Sequence, residues 1–245
     1  MVKYAVLITC FNERDRIADV IARVQRHNRH LLVVDDGSHD GSREIIVKTG
    51  APALFHAQNG GKGAAIRTGL TALLARDYDY VVFMDGDGQH DPDDLPAFLA
   101  EAEKGTDFIC GNRMENVGDM PYKRFFTNRM GSWALSHIVG ARIPDTMVGY
   151  RMIATSLLRR FPLISKGFTI ETEMLIRCFK HQISYANVPV RTIYHQMDDN
   201  KYRGFVDSWR IFFFCGGMEG MERQILKHQL PTELLPESRC HWANS

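Results

Sequence analysis

The run Phe83-Met84-Asp85-Gly86-Asp87-Gly88-Gln89-His90-Asp91-Pro92-Asp93-Asp94 places five aspartates within ten positions, directly after an apolar stretch that begins at Tyr80. Like charges at this density repel, so each carboxylate needs a structural use or a positive partner. Three have a structural use: Asp91 can cap a helix whose first residue is Pro92, with Asp93 and Asp94 in its positively polarised first turn. That leaves Asp85, Asp87 and Gln89. Two carboxylates separated only by Gly86 can aim oxygens at one point, and Gly88 lets the backbone stay close to whatever sits there. Hard oxygen donors of this kind suit Mg²⁺ or Mn²⁺, which keep positions open for phosphate oxygens. Taken alone, the pair fits solvated turn acids equally well. A calcium loop is excluded, because His90 stands where its glycine belongs and Pro96 where its bidentate glutamate belongs.

Two further stretches join the first. Leu31-Leu32-Val33-Val34 runs into Asp35-Asp36-Gly37-Ser38, so a second buried-strand pattern ends in acids and a glycine. One of that acid pair can accept hydrogen bonds from a nucleobase edge or a ribose hydroxyl, while Ser38 or Asp40 caps the next helix. Asn59-Gly60-Gly61-Lys62-Gly63-Ala64-Ala65 is a glycine turn into a helix. It lacks the Ser or Thr of a Walker motif, and Ile66 stands where a dinucleotide motif needs a small residue. Helix-start amides with Lys62 can nonetheless favour an anion, and an ordinary turn explains the stretch as well.

The elements that must position these residues follow from apolar spacing. Strands are predicted at Tyr4–Thr9, Leu31–Val34, Ala53–His56, Tyr80–Met84 and Asp107–Cys110, and helices at Arg14–Arg26, Gly41–Lys48, Ala64–Ala75 and Pro92–Lys104. Alternation of strands and helices implies an α/β fold with a mostly parallel central sheet flanked by helices, in a single domain. In such sheets ligands bind beyond the carboxyl ends of the strands, which is where Asp35, Asp36, Asp85 and Asp87 fall.

Bulk properties narrow the classes. With 245 residues, 44% of them hydrophobic, the chain can bury a large core. A net charge of +1 gives no electrostatic case for nucleic acid, so none is expected as a partner. Five scattered cysteines show no metal-like pairing and suggest a reduced, cytoplasmic protein. The N-terminus lacks the pattern of a signal peptide. The apolar run 211–218 is far short of the roughly 20 residues a spanning helix needs.

The ordered series Thr9 to Glu13, Val34 to Ser38, Asn59 to Gly63, Met84 to His90, Gly111-Asn112-Arg113, Asp145 to Arg151, Glu171-Thr172-Glu173 and Val188-Pro189-Val190 resembles the inverting GT-A glycosyltransferases of family two. Within them it is most similar to the polyprenyl-phosphate, or dolichol-phosphate-type, sugar transferases, over about residues 2 to 225. The resemblance implies a GT-A domain over 1–228, with a nucleotide-sugar half at 1–112, an acceptor half at 113–228 ending in an amphipathic helix, and a polar tail at 229–245. It implies a nucleotide-diphosphate sugar, GDP- or UDP-linked, across the strand ends. Thr9, Phe11, Asn12, Glu13, Asp35, Asp36, Gly37, Lys62, Gly63, Asp85, Gly86 and Arg113 would line it. Asp85, Asp87 and Gln89 would hold Mg²⁺ or Mn²⁺.

Arg113 matches an arginine the family uses near phosphates, and its planar guanidinium suits bidentate capture of phosphate oxygens. Lys201 and Arg203 fall where the family carries a basic closing loop, although its usual Gly-x-Ser-Lys pattern is replaced here by Asp199-Asn200-Lys201-Tyr202. Asp145, a base or an orienting group, and Arg151 fall on the acceptor side. Arg124 belongs to a stretch, Pro121 to Arg129, that mixes cations with aromatics. A similar aromatic pattern in Gly204 to Lys227 includes Phe205, Trp209, Phe212, Phe213 and Phe214. Both suit peripheral contact with a membrane, or packing in a core. The implied reaction moves a hexose onto a polyprenyl phosphate at the cytosolic face of a membrane. Two alternatives stay open: a soluble transferase with a saccharide or other hydroxyl acceptor, and a non-catalytic nucleotide-sugar binding module.

Overall fold

The computed structural model describes residues 2–193 apart from 116–119, 121, 141, 162, 166, 168 and 182. Lys201, Arg203, the aromatic stretch 204–227 and the polar tail therefore lie outside the described residues. One sheet of seven strands organises the chain: β1 (Tyr4–Cys10), β2 (Leu31–Asp35), β3 (Ala53–Phe55), β4 (Tyr80–Asp85), β5 (Phe108–Asn112), β6 (Arg151–Ala154) and β7 (Tyr185–Pro189), in spatial order β3-β2-β1-β4-β6-β5-β7. The helices are α1 (Ile17–His27), α2 (Ser42–Thr49), α3 (Lys62–Leu74), α4 (Leu95–Glu103), α5 (Tyr122–Val139), α6 (Thr155–Arg160) and α7 (Thr169–Lys180).

The central strands read as unbroken apolar runs because both of their faces are covered. Ala5 to Ile8 of β1 and Val81 and Val82 of β4 have no exposure at all. Gly69 of α3 lies directly on Leu7, where a Cβ would come within 2.3 Å of the leucine side chain. On the other face, the place of a Cβ at Gly86 is 3.1 Å from Ile17 of α1 and 3.4 Å from Cys10. Side chains of a strand alternate between faces, so Leu7 and Cys10 look opposite ways and the two helices sandwich β1. Cys10, Cys110 and Cys178 are buried and free.

All five predicted strands and all four predicted helices form, with shifted ends. α1 starts at Ile17 and not Arg14, because residues 13–16 make an entry turn in which Arg16 and Ile17 N–H groups donate to the Glu13 carbonyl. α3 starts earlier than predicted, at Lys62. The acidic run before α4 behaves as read: Asp91 accepts from the Asp93 N–H at 3.0 Å, opening a 3₁₀ turn at Pro92–Asp94 that leads into α4. Asp91 also pairs with Arg23 at 2.5 Å, and Asp94 accepts from the Arg191 N–H at 2.9 Å.

The sheet is mixed as well as mostly parallel. β6 runs antiparallel to both β4 and β5, while β1, β2, β3 and β4 pair in parallel and β7 pairs in parallel with β5. The register sets Cys10 beside Asp35 and Thr9 beside Asp85, so the acids ending β2 and β4 share one edge. Because β6 runs backwards, its first residue lies at that edge and the loop 142–150 arrives there too.

Candidate active site

The end of β1 and the turn after β2 are laced together by hydrogen bonds. Asn12, in the left-handed region at φ 55°, donates its N–H to Ser38 Oγ at 2.9 Å and accepts from the His39 N–H at 3.0 Å through Oδ1. The Glu13 N–H donates to Ser42 Oγ at 2.9 Å, and Phe11 stands half out of the surface with its ring edge toward His39. Gly37 is required: its φ is 74°, and a Cβ there would lie 2.6 Å from the backbone of Gln58. That close approach lets Asp36 Oδ1 accept from the Gly60 N–H at 2.9 Å and pair with His56 Nδ1 at 2.6 Å. Asp36 thus clips the glycine turn before α3 to the tip of β2. Asp35 is completely buried, with Oδ2 accepting from the Ser38 N–H at 3.2 Å and Oδ1 left without a partner.

Lys62, the first residue of α3, reaches across the strand tips. Its ammonium lies 2.6 Å from Asp85 Oδ1 at the end of β4 and 2.6 Å from Glu171 Oε1 in the first turn of α7. Gly63 behind it is buried. Thr9 Oγ1 donates to the same Asp85 oxygen at 3.2 Å. Burial disfavours both charges, but each outweighs it for the other. The Lys62 ammonium is held above its ordinary range by Asp85 and Glu171, and the Asp85 carboxyl is held below its own by Lys62 and His90. Gly149 closes the cluster from above: a Cβ there would stand 2.7 Å from Asp85 Oδ2 and 3.0 Å from both Glu171 Oε1 and Lys62 Nζ.

Asp87 folds back to accept from the Gln89 N–H at 2.9 Å. Burial first, and then repulsion from Asp85 and Glu13, raise its carboxyl above the ordinary range. His90 is buried, accepts from the Asp85 N–H at 3.2 Å through Nδ1, and stacks on Tyr150 at 5.2 Å. Among the described residues no three His, Cys, Asp or Glu side chains stand ready to hold a metal. The donor set fits an ion that completes its shell elsewhere: two carboxylates and one amide are hard oxygen donors, and the repulsion that Asp87 still feels from Asp85 is what a divalent cation removes.

Arg113 follows β5 and is locked to Asp145, donating through Nε at 2.7 Å, Nη2 at 2.9 Å and its backbone N–H at 3.2 Å. Asn128 Nδ2 of α5 adds a donor at 2.8 Å and the Met147 N–H another at 3.1 Å. Asp145 has no exposure, and although burial penalises its charge, Arg113 and these donors hold its carboxyl below the ordinary range. Arg113 follows the end of β5 at the same sheet edge, since Arg151 of β6 pairs with both Phe83 of β4 and Cys110 of β5.

Arg151, expected on the acceptor side, opens β6 at the same sheet edge. Its guanidinium is completely buried and donates to the carbonyls of Val148 at 3.0 Å and Glu171 at 2.5 Å, so it braces the loop from beneath. Arg124 lies in α5 and its side chain is outside the described set. Sequence reasoning assigned no role to Glu171, Gly149, His90 or Asn128. Glu171 falls in the Glu171-Thr172-Glu173 motif, but nothing local predicts its partner, Lys62, which lies 109 positions away in the chain.

Residues 5–182 match the family described as Glycosyl transferase family 2. The chain is 32% identical over 197 residues to Glycosyltransferase AglJ of Haloferax volcanii, covering 79% of this chain and only 63% of that relative. It is 28% identical over 213 residues to polyprenol monophosphomannose synthase of Mycolicibacterium smegmatis, covering 81% of this chain and 80% of the other. Among solved structures it is similar in fold to glucosyl-3-phosphoglycerate synthase of Mycobacterium tuberculosis in complex with Mn²⁺, UDP-glucose and phosphoglyceric acid. The TM-score there is 0.65 at 20% identity, over 88% of this chain and 80% of that one. With 5–182 of its 245 residues matched by that family's model, and with relatives that include a polyprenol monophosphomannose synthase, the chain belongs to glycosyl transferase family 2.

Proposed function

We propose that this protein transfers a hexose from a nucleoside-diphosphate sugar to a polyprenyl phosphate, as an inverting, metal-assisted reaction on the cytosolic face of a membrane. The observation that carries the reading is the placement of Asp85, Asp87, Lys62 and Arg113 on one sheet edge. That edge offers acids for a cation and cations for phosphates. The Mn²⁺ and UDP-glucose named for the M. tuberculosis structure, and the polyprenol acceptor named for the M. smegmatis relative, support it.

In the proposed reaction the acceptor phosphate oxygen attacks the anomeric carbon from the face opposite the diphosphate. The new carbon–oxygen bond forms as the bond to the diphosphate breaks, which inverts the centre, and the nucleoside diphosphate carries away the electron pair. Asp85, Asp87 and Gln89 would hold Mg²⁺ or Mn²⁺, which when bound supplies positive charge where the leaving group gains negative charge. Arg113 orients phosphate oxygens, and Asp145 keeps its guanidinium in one plane. Asp35 and the Phe11–Glu13 turn line the nucleoside end. A phosphate monoester is already ionised, so no proton has to be removed from it. That suits Asp145, whose oxygens are occupied by donors and whose proton affinity is depressed, both wrong for a base acting on a hydroxyl acceptor.

α5 supports the membrane side. Tyr122, Phe126, Met130 and Trp133 are 78%, 53%, 51% and 71% exposed at spacings of four, four and three, so one helix face presents apolar rings outward. Among the described residues no helix is long and apolar enough to cross a membrane. Incubating the protein with GDP- and UDP-sugars, Mn²⁺ and a short polyprenyl phosphate tests the reading. Lipid-linked product that disappears with EDTA or Asp87→Ala is the expected result. Product formed only on a free glycan would replace the acceptor assignment, and nucleotide binding with neither transfer nor donor hydrolysis would leave a binding module.

A further inference from the structure

Lys62 answers a question that the acidic tip raises when no divalent ion is bound. Asp85, Asp87 and Glu171 would repel one another there, and the ammonium of Lys62 sits between two of them at 2.6 Å from each. The side chains of Lys62 and Glu171 are each only 12% exposed, so both contacts are made largely out of water, where an unpaired charge is costly. Gly149 shows how closely the cluster is covered, since a single added carbon would lie 2.7 Å from Asp85 and press at 3.0 Å on both Lys62 and Glu171. Asp85 Oδ1 already accepts from Lys62 and Thr9, so a cation using that oxygen must displace the ammonium.

The two anchors of Lys62 are not equivalent. Glu171 is fixed in the first turn of α7, where its negative charge is favoured, and its own carbonyl is gripped by Arg151. Lys62 is a flexible four-carbon stem that can stay on Glu171 while leaving Asp85. We propose that Lys62 is a resident cation that balances Asp85 until a divalent ion arrives, and that Glu171 is the positioning residue that keeps Lys62 paired once it has been displaced. The inference rests on the reading of Asp85 and Asp87 as the ion's ligands. It adds a competitor and its keeper, which set how readily the ion loads.

The test uses the full-length protein and Mn²⁺ alone, without nucleotide, with free Mn²⁺ read by electron paramagnetic resonance and folding checked by thermal melts. Lys62→Met removes the competitor and should tighten Mn²⁺ binding roughly five- to tenfold. Glu171→Gln leaves Lys62 to Asp85 alone and should weaken binding by a similar factor, an effect that should largely vanish in the Lys62→Met background. If Lys62→Met does not fold, Lys62→Gln, which still donates to a carboxylate, decides by the same sign. Weakened or unchanged binding in the Lys62 variant overturns the resident-cation proposal, and a Glu171→Gln loss that persists without Lys62 overturns the keeper role. Mn²⁺ uptake insensitive to Asp87→Ala would overturn the metal reading itself, and the two failures are thereby told apart.

Discussion

Asp145 and Arg113 give the most demanding prediction. The aspartate is completely buried and receives three donors from Arg113, one from Asn128 and one from Met147. Removing one member of such a pair strands the other charge in the interior, at about 3–5 kcal/mol. For a chain of this size that is a Tm loss on the order of 10 °C. Asp145→Ala and Arg113→Met should each show it. The double variant should be less damaged than the sum of the two by about 2–3 kcal/mol, because neither charge is then left alone. Urea unfolding gives the four free energies, and titration calorimetry with a nucleoside diphosphate and Mn²⁺ gives the matching affinities. Burial raises the Asp145 carboxyl, but Arg113 and the other donors outweigh it and hold it below 3.8. Its contribution is therefore complete above about pH 4 and lost only as pH falls through the lower folded value, so the stability gap to Asp145→Ala should be flat at neutral pH and shrink in acid. Additivity within about 0.5 kcal/mol would refute the pairing argument. Full diphosphate affinity with turnover abolished in Asp145→Ala would refute the positioning role and restore a base.

Three further outcomes follow from other contacts. Arg151→Met strands the carbonyls of Val148 and Glu171, each a buried acceptor whose loss of a partner costs about 1–3 kcal/mol, so chemical denaturation should show a large destabilisation with acceptor KM little changed. Gly149→Ala should lower Mn²⁺-dependent nucleotide affinity by ~10-fold, about 1.4 kcal/mol by calorimetry, and an unchanged value would mean that the cluster is loose. The pair Phe126→Ser and Trp133→Ser should cut partition onto anionic vesicles in a flotation assay by at least ~10-fold, since each ring contributes on the order of 1.5–3 kcal/mol when buried, while stability stays within about 0.5 kcal/mol.

Much of the nucleotide side was legible in the sequence because its signals are local. Strands buried on both faces read as apolar runs, their acids follow within a residue or two, and Asp91 with Pro92 marks a helix start that forms as read. What escaped depends on distant partners. β6 is four residues long, opens with a buried arginine and exists because β4 and β5 flank it, so no periodicity announces it. Glu171 is one residue of a Glu-Thr-Glu motif with no partner in view until α7 packs beside α3. The burial of Arg151 escaped for a related reason. A charged side chain reads as exposed, and only the fold reveals that three carbonyls were waiting for it.

The backward course of β6 has a mechanical consequence. It delivers one short loop that is bonded at one end, by Asp145 to Arg113, and packed at the other, by Gly149 against the Lys62 cluster. Such a strut cannot be redesigned at one end alone: a change beside Arg113 would be felt at the Lys62 cluster. Amide exchange at Val148 and Gly149 should slow when a nucleoside diphosphate binds, and a loop that ignored the ligand would mean the two ends move independently.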